Sequence, residues 1–260
     1  KVIVQALKSF EKISEINPEI VPLDRIVVLM NDKDSLVREA AIKVMGNIGT
    51  KRLEASFVII QELLNDKDWS VKNAAMDVFK RLGLERGNEK AIQKIVELID
   101  DEEKFTRVKA LEILADLADK KPDLVPIEKI KKTAADDDTD IRPKCAQIAG
   151  AFDKEYFDEV LPLIITLMGD ENNQVAERAQ SALVRISSRM SLKDIFPKTL
   201  HYFSDETDIR IQRSMALALK RIVKYESKTA KKRLTDLLRI RCEISQDPII
   251  CQVWQDLQQD

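Results

Sequence analysis

Apolar residues recur along the chain at the spacing of an amphipathic helix. Between residues 37 and 48 they occupy positions i, i+3, i+4, i+7 and i+11, which lie on one face of a helix with about 3.6 residues per turn. Residues 71–82 repeat this pattern. Since no segment alternates apolar and polar residues for long enough to predict a strand, the pattern indicates an all-α fold.

Each of these helices is preceded by another helical pattern and a short polar turn, so the helices come in pairs. The predicted first helices cover residues 20–30, 53–64, 91–99, 124–133, 156–168, 192–203 and 229–239. Residues 1–15 have the pattern of a second helix without a partner, so we predict about seven helix pairs plus one N-terminal helix. Gly49, Gly83 and Gly150 follow the last apolar turn of a second helix, where a left-handed residue is expected to end it.

The polar turn itself repeats along the chain. Six similar segments begin at Leu29, Leu63, Leu98, Thr133, Leu167 and Phe203, and successive starts are 34, 35, 35, 34 and 36 residues apart. A period this steady is typical of a stacked repeat array. We predict one array over 1–260, with a half unit at 1–17 and full units at 18–50, 51–86, 87–120, 121–153, 154–189, 190–227 and 228–260.

An aspartate in each of four turns is followed six positions later by a basic residue. The pairs are Asp32 and Arg38, Asp66 and Lys72, Asp101 and Arg107, and Asp136 and Arg142. An aspartate in this place can cap the following helix, where it also meets the positive end of the helix dipole. Stacking would set the pairs in register from unit to unit. We interpret them as a structural ladder of caps and inter-repeat pairs, and a row of catalytic carboxylates is the alternative.

The Asp, Val-Arg and Ala positions of these units resemble the HEAT repeat family. Examples are Asp32, Val37, Arg38 and Ala41 in one unit and the matching residues 66, 71, 72 and 75 in the next. The resemblance implies a HEAT-like solenoid, an α–α superhelix with first helices on its convex side and second helices on its concave side. It also implies a protein or peptide partner along the concave face.

Three units depart from the HEAT pattern. Unit five has Ala176 where a basic residue is expected. In unit six, either residues 209–210 or residues 211–212 can occupy the Val-Arg positions. The last unit lacks the basic residue and carries Trp254 near the slot that holds a small alanine elsewhere, as a terminal cap can.

The composition fits a stacked array with large exposed faces. Of the 260 residues 34% are charged, the net charge is −2, and there are only 6 Gly and 8 Pro. The scarcity of turn formers argues against an all-β fold, and recurring Leu, Ile and Val argue against disorder. No apolar run reaches the length of a transmembrane segment. We expect an intracellular, cytoplasmic protein, because an odd number of cysteines suits a reducing compartment.

Residues suited to catalysis or metal binding are few and dispersed. Cys145 occupies the small-residue slot of Ala41 and is expected in the core. Cys242 and Cys251 could be neighbours across a turn, with free thiols as the favoured interpretation. The single histidine, His201, and the absence of paired Cys or His motifs argue against a metal site. We predict no cofactor, no metal and no enzymatic activity, and an enzyme with carboxylates or cysteines in a cleft is the alternative.

Basic residues are concentrated late in the sequence. Residues 209–241 contain 11 Lys or Arg against 2 Asp or Glu, whereas residues 97–140 contain 14 acidic and 8 basic residues. On a helical wheel one stripe collects Arg210, Arg213, Lys220, Arg221 and Lys224. Such a stripe is either a solvated helix face or a docking patch for an acidic partner, a membrane surface or nucleic acid. Nucleic-acid binding through residues 209–241 is therefore our alternative function.

Trp69 is the other candidate partner-binding residue. The same turn position is polar in other units, as with Ser35 and Lys104. An exposed tryptophan often anchors an interface, and packing against the neighbouring turn is equally compatible with the sequence. Our favoured function is a non-catalytic scaffold that binds a protein or peptide along the concave face. The sequence leaves the partner and the oligomeric state open.

Overall fold

The structure is a computed structural model that describes residues 1–48, 57–190, 192–224 and 228–259. Fifteen α-helices, four short 3₁₀ helices and no strand occur in these described residues. The predicted all-α fold of seven helix pairs after one N-terminal helix is confirmed. The chain divides into two compact units, residues 1–117 and 118–260. Within the described ranges, none of the helices combines the length and apolar character that crossing a membrane requires.

In the first unit, second helices pack on one another in succession. Helix α1 contacts α3 and α3 contacts α5, while α2 packs on α3 and α4 on α5. Ala41 and Ala75 are fully buried, and their small side chains permit this close approach. The helices are α1 (Val2–Ile16), α2 (Leu23–Leu29), α3 (Ser35–Asn47), α4 (Phe57–Leu63), α5 (Trp69–Arg86), α6 (Glu89–Glu97) and α7 (Lys104–Lys120), whose last residues belong to the second unit.

The second unit has the same construction. Helices α9, α11, α13 and α15 pack in succession, with α10 on α11 and α14 on α15. Cys145 is fully buried in α9, and this burial raises the pKa of its thiol to about 12. The helices are α8 (Ile127–Thr133), α9 (Arg142–Ala149), α10 (Phe157–Met168), α11 (Asn173–Ser187), α12 (Leu192–Asp205), α13 (Ile209–Val223), α14 (Lys228–Ser245) and α15 (Pro248–Gln259).

The glycine predictions were wrong at two positions. Gly83 lies inside α5, which ends instead at the left-handed Gly87, with a φ of 62°. Gly150 ends α9 in a right-handed conformation, with a φ of −74°. Its function is close packing, because a Cβ there would lie 2.6 Å from the Cα of Ala182. The third glycine, Gly49, lies outside the described residues.

A disulfide joins Cys242 in α14 to Cys251 in α15 across the turn between these helices. Their Cα atoms are 4.9 Å apart. The favoured interpretation of free thiols was therefore wrong, although the two residues are the neighbours that their spacing allowed. With Cys145 as the one free cysteine, the odd count no longer supports a reducing compartment.

Candidate functional site

In the polar turns between paired helices, two side chains accept hydrogen bonds from backbone N–H groups two residues further along the chain. Asp32 accepts the backbone N–H of Asp34 at 2.9 Å, and Asp34 accepts that of Leu36 at 3.0 Å and caps α3. The same two contacts recur at Asp66 and Asp68, Asp136 and Asp138, Asp170 and Asn172, and Glu206 and Asp208. These side chains therefore satisfy backbone donors at the starts of the second helices.

Arg38 links its own turn to the next repeat unit. Its Nε and Nη2 donate to the two carboxylate oxygens of Asp66, both at 2.8 Å. Its Nη1 donates to the backbone carbonyls of Asp32 and Lys33, at 2.9 and 3.2 Å. Burial alone would raise the pKa of Asp66, but hydrogen bonds from Arg38 and from the N–H of Asp68 outweigh it, and the pKa is lowered. The arginine therefore ties two turns together with every donor group directed at a partner.

Other ladder residues make related contacts. Arg142 repeats the arrangement in the second unit, with Asp170 as its carboxylate partner at 2.6 Å. Lys72 makes a longer contact with Asp101, at 3.5 Å. Arg107 donates to the backbone carbonyl of Asp101 at 3.2 Å. For the two arginines that make carboxylate pairs here, the carboxylate belongs to the following repeat, and the aspartate six positions earlier accepts through its backbone carbonyl.

The predicted basic stripe on α13 is largely engaged within the chain. Its ion pairs are Arg210 with Asp208, Arg213 with Asp247, and Lys220 with Asp256. Arg221 and Lys224 are exposed. Gln212 donates to the backbone carbonyl of Glu206 at 2.9 Å, in the manner of Arg38, so residues 211–212 occupy the Val-Arg positions of unit six. Three of the five stripe residues thus have a carboxylate partner within the second compact unit.

A groove of about 450 Å³ lies among the second helices α11, α13 and α15. Ala176 lines it from the slot that Arg38 and Arg142 occupy in their own units. Because the alanine side chain is short, the space of a guanidinium is left open. The lining also includes Asn173, Glu177, Gln180, Arg213, Leu217 and Ile249. The missing basic residue is visible in the sequence, whereas the groove beside it is visible only in the fold.

A cluster of cations begins α14. Lys228, Lys231, Lys232 and Arg233 fall within six residues. In the described part of the chain, no carboxylate forms an ion pair with any of them, whereas Arg239 further along the helix pairs with its own neighbour Glu243. Cations at a helix N-terminus face the positive end of the helix dipole. The charge of this cluster therefore opposes the dipole of α14.

Trp69 packs against Phe105, which was not singled out from the sequence. The ring centroids lie 6.1 Å apart at an angle of 46°. Trp69 is partly buried, whereas Phe105 is 65% exposed. Leu36, at the start of α3, is 59% exposed. Partner binding by Trp69 stays a prediction, and the signal that could have revealed Phe105 is its place one position after the residue that aligns with Trp69.

Groups with catalytic or metal-binding potential are scarce in the described residues, which contain no cluster of three or more potential metal ligands. His201 is exposed on α12, with its Nδ1 3.2 Å from a carboxylate oxygen of Asp205. Tyr156 donates a hydrogen bond to Asp123, which raises the pKa of the tyrosine to about 12. Each of these groups interacts with a neighbour at the surface.

Comparison with known proteins supports the repeat interpretation. The HEAT repeat family model matches residues 23–51, which confirms the HEAT resemblance over one helix pair. An engineered protein of known structure is 17% identical with a TM-score of 0.50, and the match covers 98% of this chain and 73% of that one. A designed armadillo repeat protein in complex with a (KR)4 peptide is 16% identical, with coverage of 84% and 99% and a TM-score of 0.47. No curated protein matches the sequence.

Proposed function

We propose that this chain, a helical-repeat protein with a HEAT repeat at residues 23–51, is a non-catalytic scaffold that binds a protein or peptide segment. The observation that carries the proposal is the groove among α11, α13 and α15. Three consecutive second helices line it, so side chains from successive repeats meet one ligand at a fixed spacing. The helices that line the groove are second helices, which the HEAT resemblance assigns to the concave, ligand-binding side.

The lining is suited to an extended polypeptide segment. Leu217 and Ile249 provide apolar contacts for a side chain of the ligand. Asn173 and Gln180 carry amide groups that both donate and accept, as a peptide backbone requires. Glu177 is exposed and provides a carboxylate for a cationic side chain. The favoured ligand is thus an extended segment with one apolar and one basic residue.

Ala176→Arg is the variant that tests this function. An arginine in this slot would fill the space that the alanine leaves, as Arg38 and Arg142 do in their own units. Thr166→Arg is the matched control, because it adds the same side chain to an exposed position of the first helix α10. Peptides selected from a displayed random library on the wild-type chain would be titrated by fluorescence anisotropy against both variants.

We expect Ala176→Arg to weaken binding by about tenfold or more, because the new side chain would occupy the space of a dominant contact with the ligand. Thr166→Arg should change the affinity by less than twofold. Circular dichroism would verify that both variants are folded. Selected peptides that bind Ala176→Arg as tightly as the wild type would contradict the groove as the binding site.

The cation cluster at the start of α14 favours nucleic-acid binding as a second candidate function. Its four basic residues have no carboxylate partner in the described chain, unlike most of the stripe on α13. Lys232→Glu with Arg233→Glu should abolish duplex DNA binding at low salt, whereas Lys8→Glu with Lys12→Glu on α1 should not. An affinity that does not fall steeply with salt would refute phosphate contacts.

A further inference from the structure

We propose that Leu36, Trp69 and Phe105 form a second binding surface, an apolar edge that takes a basic segment of a partner protein. The apolar edge lies in the first unit and shares no residue with the groove among α11, α13 and α15. The proposal therefore goes beyond the function proposed above and stands on separate observations.

The apolar edge runs along the starts of successive second helices in the first unit. Leu36, Trp69 and Phe105 lie in the first turns of α3, α5 and α7, which are successive second helices. Leu36 and Phe105 are more than half exposed, which water disfavours for side chains of this size. At this turn position the first unit has Leu36, Ser70 and Phe105, whereas the second unit has only polar residues: Asp140, Gln174 and Arg210. Trp69 stands one position before Ser70, so the exposed apolar residues distinguish the first unit without sharing a single repeat position.

Packing between the two rings prepares the apolar edge for a ligand. Trp69 packs against Phe105 with the ring planes tilted by 46°, and such a contact favours one orientation of the indole before a partner binds. Restricting an aromatic side chain in advance lowers the entropy that binding would otherwise cost. A tryptophan in such a setting is the residue type that most often dominates an interface.

The charge of the surrounding turns selects the partner. Residues 32–34, 66–68 and 100–104 contain eight carboxylates and three lysines. Ladder cations neutralise part of this excess, since Arg38 pairs with Asp66 and Lys72 lies near Asp101. Glu102, next to the Phe105 turn, is exposed and has no ion pair in the described residues. A negative potential around an apolar edge favours a cationic ligand and repels nucleic acid.

Arginine and lysine match both properties of this surface. Their charged groups stack on the faces of aromatic rings, with tryptophan the strongest partner. Their aliphatic stems cover apolar side chains such as Leu36. Neighbouring cations of the same segment would pair with Glu102 and Asp34. A basic segment with interspersed apolar residues therefore satisfies the rings, the leucine and the carboxylates together.

The test uses Trp69 itself as the reporter. The chain has 2 tryptophans, so Trp254→Phe leaves Trp69 as the sole source of tryptophan emission. The full chain would be titrated with a synthetic Lys/Arg/Leu peptide and with the same peptide carrying Glu in place of each Lys and Arg. We expect a saturable change in emission with the basic peptide and none with the acidic one.

Two variants and one control identify the binding site. Phe105→Ser should weaken binding by about tenfold, because it removes an exposed anchor without emptying the core. Glu102→Lys should weaken it several-fold through charge. Tyr202→Ser, at an aromatic residue that is 38% exposed in the second unit, should leave it within twofold of the wild type.

The outcomes separate this surface from the groove. Ala176→Arg should leave binding of the basic peptide unchanged, so the two proposals can fail independently. The proposal is overturned by emission that does not respond, by equal binding of the acidic peptide, or by full affinity in Phe105→Ser. Loss in Glu102→Lys together with full affinity in Phe105→Ser would indicate attraction by charge alone and would also overturn it.

Discussion

Replacing Arg38 with methionine should cost far more stability than the loss of a surface charge. The substitution keeps an unbranched side chain of similar length but removes four hydrogen bonds. The Asp66 side chain is 8% exposed in the wild type, and the substitution leaves its carboxylate a single donor, the N–H of Asp68. Breaking a buried pair from one side costs about 3–5 kcal/mol. Because the freed carbonyls of the turn can regain water, we expect the lower end, about 3 kcal/mol.

Urea unfolding followed by circular dichroism would measure the overall loss. Repeat arrays can open in parts, so hydrogen exchange of peptides from α3 and α5 would locate it. Lys43→Ala is the matched control, because Lys43 forms an exposed pair with Glu39 on the same helix. That variant should lose less than about 0.5 kcal/mol. Faster exchange confined to the α3 and α5 peptides would assign the loss to the broken connection between units.

A double-mutant cycle decides whether the pairing itself causes the effect. Asp66→Asn retains an oxygen for the N–H of Asp68 while removing the charge. If the pair is responsible, Arg38→Met with Asp66→Asn should cost clearly less than the sum of the two single changes. A loss in Arg38→Met no larger than in Lys43→Ala, or strict additivity in the cycle, would refute the reasoning.

Three further predictions concern acid, reduction and packing. The pKa of Asp170 is lowered in the folded chain, so the stability that its carboxylate contributes is present above its ordinary pKa and is lost as the pH falls below that value. Asp170→Asn should therefore flatten the acidic part of a stability–pH curve measured by urea unfolding. Reduction of Cys242–Cys251 should lower the free energy of unfolding of the α14–α15 pair by about 2–3 kcal/mol, measured by hydrogen exchange with and without reductant, and unchanged exchange would contradict this. Gly150→Ala should lower the free energy of unfolding, measured in urea, by about 2 kcal/mol, because the new Cβ would meet the backbone of the facing helix. Gly46→Ala should lower it less, because there the Cβ would meet a side-chain methyl group. Equal losses in the two variants would exclude this explanation.

Periodicity made the helices predictable, but not the way some of them end. The apolar spacing of residues 71–82 reports which face of α5 is buried, and this face was identified correctly. Gly83 follows the last apolar turn in sequence, yet the helix continues to Gly87. A Cβ at Gly83 would lie 2.9 Å from the side chain of Ile92, so the residue is explained by the neighbouring helix. Local pattern contains no information about that neighbour.

The candidate sites were harder to predict because they depend on side-chain pairing between neighbouring repeats. Arg213 stands on the same helical stripe as its basic neighbours, and the sequence contains nothing nearby that neutralises it. Its partner is the buried Asp247, 34 positions away in the next repeat. The exposure of Phe105 has a similar origin, since it depends on how α7 meets α5. Residue type and spacing identify the components, whereas their partners become visible only in the folded units.

The same repeat position, six residues after the first aspartate of the turn, contributes to the ladder in some repeats and to the groove in another. Arg38 and Arg142 fill that position and lock consecutive turns, while Ala176 leaves it open and creates the groove. Ala176→Arg should therefore increase stability by about 1 kcal/mol through new hydrogen bonds to the backbone carbonyls of its turn and to the carboxylate of Glu206, while it weakens ligand binding by about tenfold or more. Thermal unfolding and peptide titration of the same variant would measure both effects. If the variant lost both stability and binding, the arginine would not fit the slot, and the equivalence of the three positions would be wrong.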